Sequence, residues 1–170
     1  MENAEVADLM ARFEPLVKHF NRYLTIGGFP ELALSDDDLY AQRMLREDVV
    51  DKVIKRDVLT LFKVRSPLLM EKLFLYLCMN STEIFSATTA AKELDNISPN
   101  TIESYVDALV KSNLIYMAYP IAVGSKSVLK GRPKIYIADA AIRNAVLMVD
   151  DVLSDERELG LLIETTVYKH

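Results

Sequence analysis

The sequence holds one cysteine, no tryptophan, two histidines and five glycines in 170 residues. A lone cysteine excludes a disulfide framework. Cys78 lies in an apolar helical run and reads as a small buried hydrophobe, which fits the reducing cytosol. No apolar run approaches the roughly 20 residues a membrane span needs, and Met1 opens an acidic stretch and not a signal peptide. Catalytic signatures are missing as well. There is no Gly-x-x-x-x-Gly-Lys-Ser/Thr loop to cradle phosphates, no Gly-x-Ser-x-Gly elbow and no Cys/His ligand cluster. Gly27-Gly28-Phe29-Pro30 has neither the following Lys-Ser/Thr nor an upstream strand of a phosphate loop, so it reads as a tight turn between helices. Asp36, Asp37 and Asp38 lack the alternation and distal Glu of a calcium loop. His19 lies near an apolar helical stripe and reads as structural, and His170 is terminal.

Positive charge is in deficit too. The net charge is −5, so the whole chain repels nucleic acid and anionic membranes. Any such contact needs a local basic patch. With 51% apolar residues, the chain has enough for one substantial core or two small ones.

What is present is mostly helical periodicity. Val6, Leu9, Met10, Phe13, Val17 and Phe20 mark one stripe, and Pro15 is expected to end a first helix and start a second. Ser35 or the following aspartates cap a helix expected from about Leu39 to Phe62. Along it, Leu45, Val49, Val53, Ile54 and Val58 are apolar, and Arg43, Glu47, Lys52 and Arg56 face water. Arg56-Asp57 reads as a surface salt bridge.

From Ser66 to Asp139 the order is three short helices and a two-stranded ribbon, that of a winged helix-turn-helix. Ser66-Pro67 starts the first helix, and Glu83-Ile84-Phe85 is a candidate short strand. Ser86 caps the second helix. Ser98 is expected to cap the third through its hydroxyl, with Pro99 at the first helical position. Ile102, Tyr105, Val106, Leu109 and Val110 form its buried face. Leu114 to Tyr119 and Lys134 to Ala138 are strands around a polar loop, Gly124 to Arg132. Asp139 caps a helix to about Met148. An acidic linker, Asp150 to Glu158, leads to a last helix from Gly160.

The fold expected is mainly α with a small antiparallel ribbon. A helical, lid-like subdomain spans 1–63, a winged helix 64–139, and a tail helix with the start of a further domain 140–170. Functional content lies in local charge. Lys126, Lys130, Arg132 and Lys134 form a basic wing, and Asn100, Thr101, Ser104 and Lys111 lie on the open face of the third helix. Together they are the candidate contacts to a nucleic acid or a protein partner. Glu103 and Asp107 on the same helix weigh toward protein.

Tyr23-Leu24, Gly27-Gly28-Phe29-Pro30-Glu31, Val53 to Asp57, Ser98 to Leu109, Pro133 to Asp139 and Gly160 to Glu164 follow one another in a characteristic order. This succession resembles the domain of unknown function that follows the ATPase core in a family of bacterial and archaeal AAA-type ATPases. The resemblance covers nearly the whole chain. It implies an upstream core that binds ATP and Mg, a helical lid, a winged helix and a nuclease-like C-terminal domain. Glu164 would be the first acidic position of that last domain. Read this way, the fragment has no cofactor or catalytic residue of its own and no membrane contact. It is expected to be a cytoplasmic, non-enzymatic part that couples the ATPase core to a protein target or, alternatively, to nucleic acid through the basic wing.

Overall fold

The structure, a computed structural model, describes residues 2–62, 64–121, 131–149 and 151–170. Lys126, Lys130 and most of the wing loop lie outside the described residues, as do Lys63, Asp150 and the side chains of Val6, Leu9 and Val49.

Helix α1, Glu2–Ile26, runs unbroken through Pro15. The expected break at Pro15 is corrected. Pro15 lies in an exposed stretch of the helix, so water can take the carbonyl it leaves unbonded. The helix closes on Gly27, whose N–H donates to the Tyr23 carbonyl at 2.8 Å with φ +77°. That left-handed closure suits glycine. Short helix α2, Pro30–Ala33, begins on its proline, and Asp37 caps α3, Asp38–Leu45, accepting from Tyr40 N–H at 2.9 Å.

The single α-helix expected to Phe62 is also corrected. Arg46–Val58 is π-helical, and only Leu59–Leu61 (α4) returns to α winding. The burial pattern gives the reason. Leu45, Ile54 and Val58 are all about 1% exposed or less in one core. In α winding, Leu45 and Ile54 would be two and a half turns apart, on opposite faces. Bonds from i to i+5, at about 4.4 residues per turn, make the same nine residues about two turns and bring both inward.

Helices α5 (Pro67–Met79) and α6 (Ala87–Glu93) start as expected, with the Ser66 and Ser86 hydroxyls accepting from Leu69 and Thr89 N–H. Helix α7, Pro99–Lys111, departs at its cap. Ser98 holds the capping position, but its hydroxyl makes no cap bond. Its carbonyl instead takes Thr101 and Ile102 N–H at 2.9 and 3.2 Å. Ile102, Tyr105, Val106, Ala108 and Leu109 are buried, and the Tyr105 hydroxyl accepts from Ser66 N–H at 3.0 Å. Tyr105 thus ties the starts of α5 and α7 together.

Strands β1, Ile115–Ala118, and β2, Lys134–Ile137, pair antiparallel with Tyr116 opposite Tyr136. Glu83 to Phe85 makes one bridge, Ile84 to Lys134, on the other edge of β2. Ile135 N–H donates to the Glu83 carbonyl at 3.1 Å and Phe85 N–H to the Pro133 carbonyl at 2.8 Å. So β2 is paired on both sides. Helix α8, Ala140–Leu147, is capped by Asp139, which accepts from Ala141 N–H at 3.0 Å. Helix α9, Glu156–Lys169, starts before Gly160. Asp155 caps it, and Glu156 and Glu158, expected in the linker, form its first turn, where acids oppose the helix dipole.

The main core joins the elements from α3 to α8, and a smaller one of Leu24, Ala140, Val152 and Leu162 joins α1, α8 and α9. Leu45, Ile54 and Val58 pack with Met70, Leu73, Phe74, Leu77, Ile102, Leu109, Ile135 and Ile142. Each such side chain contributes about 1.5–3 kcal/mol on leaving water. Among the described residues, no helix is long and apolar enough to cross a membrane.

Candidate functional site

Helix α7 and the ribbon enclose an open groove of about 740 Å³. Glu103, Val106, Asp107 and Val110 of α7 form one wall, one helical turn apart in pairs. Tyr116, Met117 and Tyr119 form another, and Phe85 to Thr88, Arg132 and Tyr168 complete the rim. Tyr119 is 60% exposed, so an aromatic surface stands open beside two carboxylates.

The candidate contacts divide on this geometry. Arg132 is exposed and lines the groove. Lys111 is exposed but bound to Asp107 at 2.6 Å. Lys134 turns away to α9, bonding Glu164 at 2.9 Å. Asn100 and Ser104 are exposed and Thr101 half-buried on α7, yet none of the three is in the groove lining. The expected basic surface therefore does not converge among the described residues: two of its cations serve ion pairs. The aromatic wall was missed by sequence reasoning. Tyr116 and Tyr119 lie three apart across a strand end, and Tyr168 comes from the far end of the chain. The i, i+4 pair Glu103 and Asp107 was legible on the open face of α7.

A second cluster joins the ends of the chain. Asp139, 5% exposed, accepts from Lys169 Nζ at 2.8 Å, and Lys169 also reaches the Tyr23 hydroxyl at 3.5 Å. Burial works against charge on Lys169, but its bond and attraction to Asp139 outweigh this and raise its pKa. Tyr23 bonds the His170 ring at 3.0 Å. Glu164 accepts from both Lys134 Nζ and the Tyr136 hydroxyl at 2.9 Å, while Tyr168 stacks on Tyr136 with centroids 4.0 Å apart. The Lys134 bond holds the Glu164 carboxyl below its usual range. Burial, then the Glu164 bond, pushes Tyr136 up to about 12. Arg143, 4% exposed, donates to the Cys78 carbonyl at 3.1 Å and grips Glu158 with two nitrogens at 2.5 and 3.2 Å. Burial pushes the Cys78 thiol far up, which removes its nucleophilic form. His19, expected to be structural, is exposed on α1. Among the described residues, no group of three or more His, Cys, Asp or Glu side chains could hold a metal ion.

This cluster is joinery: Asp139, Lys169, Glu164, Lys134, Tyr136, Arg143 and Glu158 each bond a group on another element of the chain. The fold is a mainly helical domain with a small ribbon, whose open chemistry lies in the α7 groove. Residues 17–153 match a family described as a domain of unknown function (DUF8612), and the chain belongs to that family. It is also similar to the uncharacterized protein MJ1544 of Methanocaldococcus jannaschii, at 25% identity over 157 residues. That alignment takes in 90% of this chain and 33% of the relative, so the chain spans about a third of that protein's length. No solved structure matches.

Proposed function

We propose that the chain is a non-catalytic coupling module of an AAA-type ATPase, with a lid-like helical part and a winged helix that docks a protein target. The winged-helix reading rests on the order α5, α6, α7, β1, β2 and on the extra pairing of Glu83 to Phe85 with β2. The ATPase context rests on the succession of motifs alone; the archaeal relative is a longer protein that is itself uncharacterized. In this reading ATP and Mg belong to the core of the parent protein.

Protein docking is favoured over nucleic acid by one observation: the groove beside the third helix carries Glu103 and Asp107. Glu103 there repels phosphate, while Asp107 and the neighbouring Lys111 offset one another. Apolar and aromatic walls with a few charges are what a protein partner meets. The test is a low-salt gel shift with duplex and single-stranded probes, beside titration of the purified parent ATPase core with this chain. The chain should leave the probes unshifted, and Glu103→Lys with Asp107→Lys should weaken its binding to the core or target at least tenfold. A shift that vanishes with Lys126→Ala, Lys130→Ala and Arg132→Ala would replace docking with nucleic-acid contact.

A further inference from the structure

A second cavity adjoins the α7 groove. It holds about 230 Å³ and lies between the end of α5 and one side of α6. Tyr76 comes from α5, Glu93 from α6 and Glu83 from the chain between them. Phe85, Ser86 and Arg132 line both this cavity and the groove, so the two form one continuous surface.

Charge is uneven on that surface. Glu83, Glu93 and Glu103 are exposed, and among the described residues none of them takes part in an ion pair. Arg132 lines both cavities, while Asp107 and Lys111 offset one another. Among the described residues, three open carboxylates thus stand against one guanidinium. Burial first, then Glu93 and Glu83, raise the pKa of the Tyr76 hydroxyl, so both carboxylates bear on one neutral phenol. A cation entering here meets two negative charges and a hydroxyl oxygen, with Tyr76 and Ile84 to cover its aliphatic stem.

The backbone beside the cavity is open too. Ile135 N–H donates to the Glu83 carbonyl and Phe85 N–H to the Pro133 carbonyl, which turns the N–H and C=O of Ile84 away from β2. The Ile84 residue is 65% exposed. An exposed strand edge of this kind takes an extended segment.

We propose that cavity and groove together dock an extended basic segment of a protein partner. An Arg or Lys of that segment sits between Glu83 and Glu93, and apolar side chains next to it enter the groove against Val106 and Tyr119. An acidic segment would meet the same three carboxylates as like charges. This inference rests on the protein-docking reading and adds the chemistry of what is docked.

A random peptide library displayed on phage and selected on the full chain tests this. Peptides of about ten residues reach roughly 33 Å when extended. Those recovered should be enriched in Arg or Lys next to Leu, Phe or Tyr. In fluorescence anisotropy, Glu83→Gln with Glu93→Gln should weaken a recovered peptide about fivefold, the scale of two exposed ion pairs, with unchanged circular dichroism. Asp36→Asn with Glu47→Gln removes equal charge from exposed sites elsewhere and should leave binding within about twofold. Replacing the peptide's basic residues by Gln should abolish the difference between the unmodified chain and the Glu83 and Glu93 variant. Recovered peptides without a basic excess, or an equal loss in both double variants, would overturn the basic segment. If their binding still falls with Glu103→Lys and Asp107→Lys, docking itself stands. A selection that yields no binder would overturn the inference as well, and the gel shift then decides the docking reading.

Discussion

Replacing Gly27 by alanine tests the joint between the two ends of the chain. A Cβ at Gly27 would lie 2.5 Å from Asp139 Oδ1 and 2.9 Å from Ala141 Cβ, at φ +77°. The left-handed backbone alone costs an alanine about 1–2 kcal/mol. The carboxylate cannot step aside freely, because it caps α8 and holds Lys169. Displacing it loses a cap, about 1 kcal/mol, and weakens a charged hydrogen bond, about 1.5 kcal/mol. The sum is about 4 kcal/mol. For a chain of this size, at about 2–4 °C per kcal/mol, the melting temperature should fall by roughly 8–16 °C.

The other glycines supply the controls. Gly160 lies inside α9 with nothing within 4 Å of its added Cβ. Alanine there should stabilise by about 0.5–1 kcal/mol, because a helical glycine gives up more backbone entropy. In an Asp139→Ala background the carboxylate contact is gone and the Ala141 Cβ contact at 2.9 Å remains, so Gly27→Ala should cost its backbone part plus that contact, leaving a coupling of at most about 2.5 kcal/mol. Thermal and urea melts followed by circular dichroism read all four variants. A Gly27→Ala melting temperature within 2 °C of the unmodified chain, or additive costs with Asp139→Ala, would refute the contact.

Arg143→Met should cost about 2–4 kcal/mol in a urea melt, since it orphans the buried Cys78 carbonyl and releases Glu158. Leu109→Ala, at a fully buried position, should cost about 2–5 kcal/mol, and a neutral result would put the wrong face of α7 inward. Tyr105→Phe should cost about 1 kcal/mol by leaving Ser66 N–H unbonded. The folded-state pKa of Glu164 is depressed, so its contribution is present above the unfolded value of about 4.3 and is lost as pH falls through the lower folded value. Acid titration followed by tyrosine fluorescence should show α9 loosening in that window. In Lys134→Met the loosening should move to higher pH, and an unmoved midpoint would remove Lys134 as its cause.

Much of the fold was legible because it rests on short-range chemistry. Ser-Pro starts, an Asp cap and a β-rich run ended by proline act within one turn of chain, and α5, α7, β1 and β2 follow from them. What failed had two causes. Pro15 breaks a helix by local rule, but it lies in an exposed stretch of α1 where water can take the carbonyl it leaves unbonded. The π winding of Arg46–Val58 has no local cue, because it answers a demand that Leu45 and Ile54 enter one core. The surroundings of the candidate residues were not legible for the same reason. Positive charges can be counted along a sequence, but the pairing of Lys111 with Asp107 and of Lys134 with Glu164 cannot.

The positions that make the sequence distinctive are also the ones that meet in space. Tyr23, Gly27, Asp139 and Lys169 form one contact set, although up to 146 residues separate its members. Pro133 to Asp139 and Gly160 to Glu164 meet through Lys134, Tyr136 and Glu164. Such residues are constrained by one another, since Gly27 admits no side chain while Asp139 caps α8. A motif succession of this kind therefore reports how the domain is assembled. What the domain binds must be sought where polar and aromatic side chains remain open, in the α7 groove with Glu103, Asp107 and Tyr119, and in the adjoining cavity of Glu83 and Glu93. Tyr168 links joint and groove, since it stacks on Tyr136 of the joint and lines the groove.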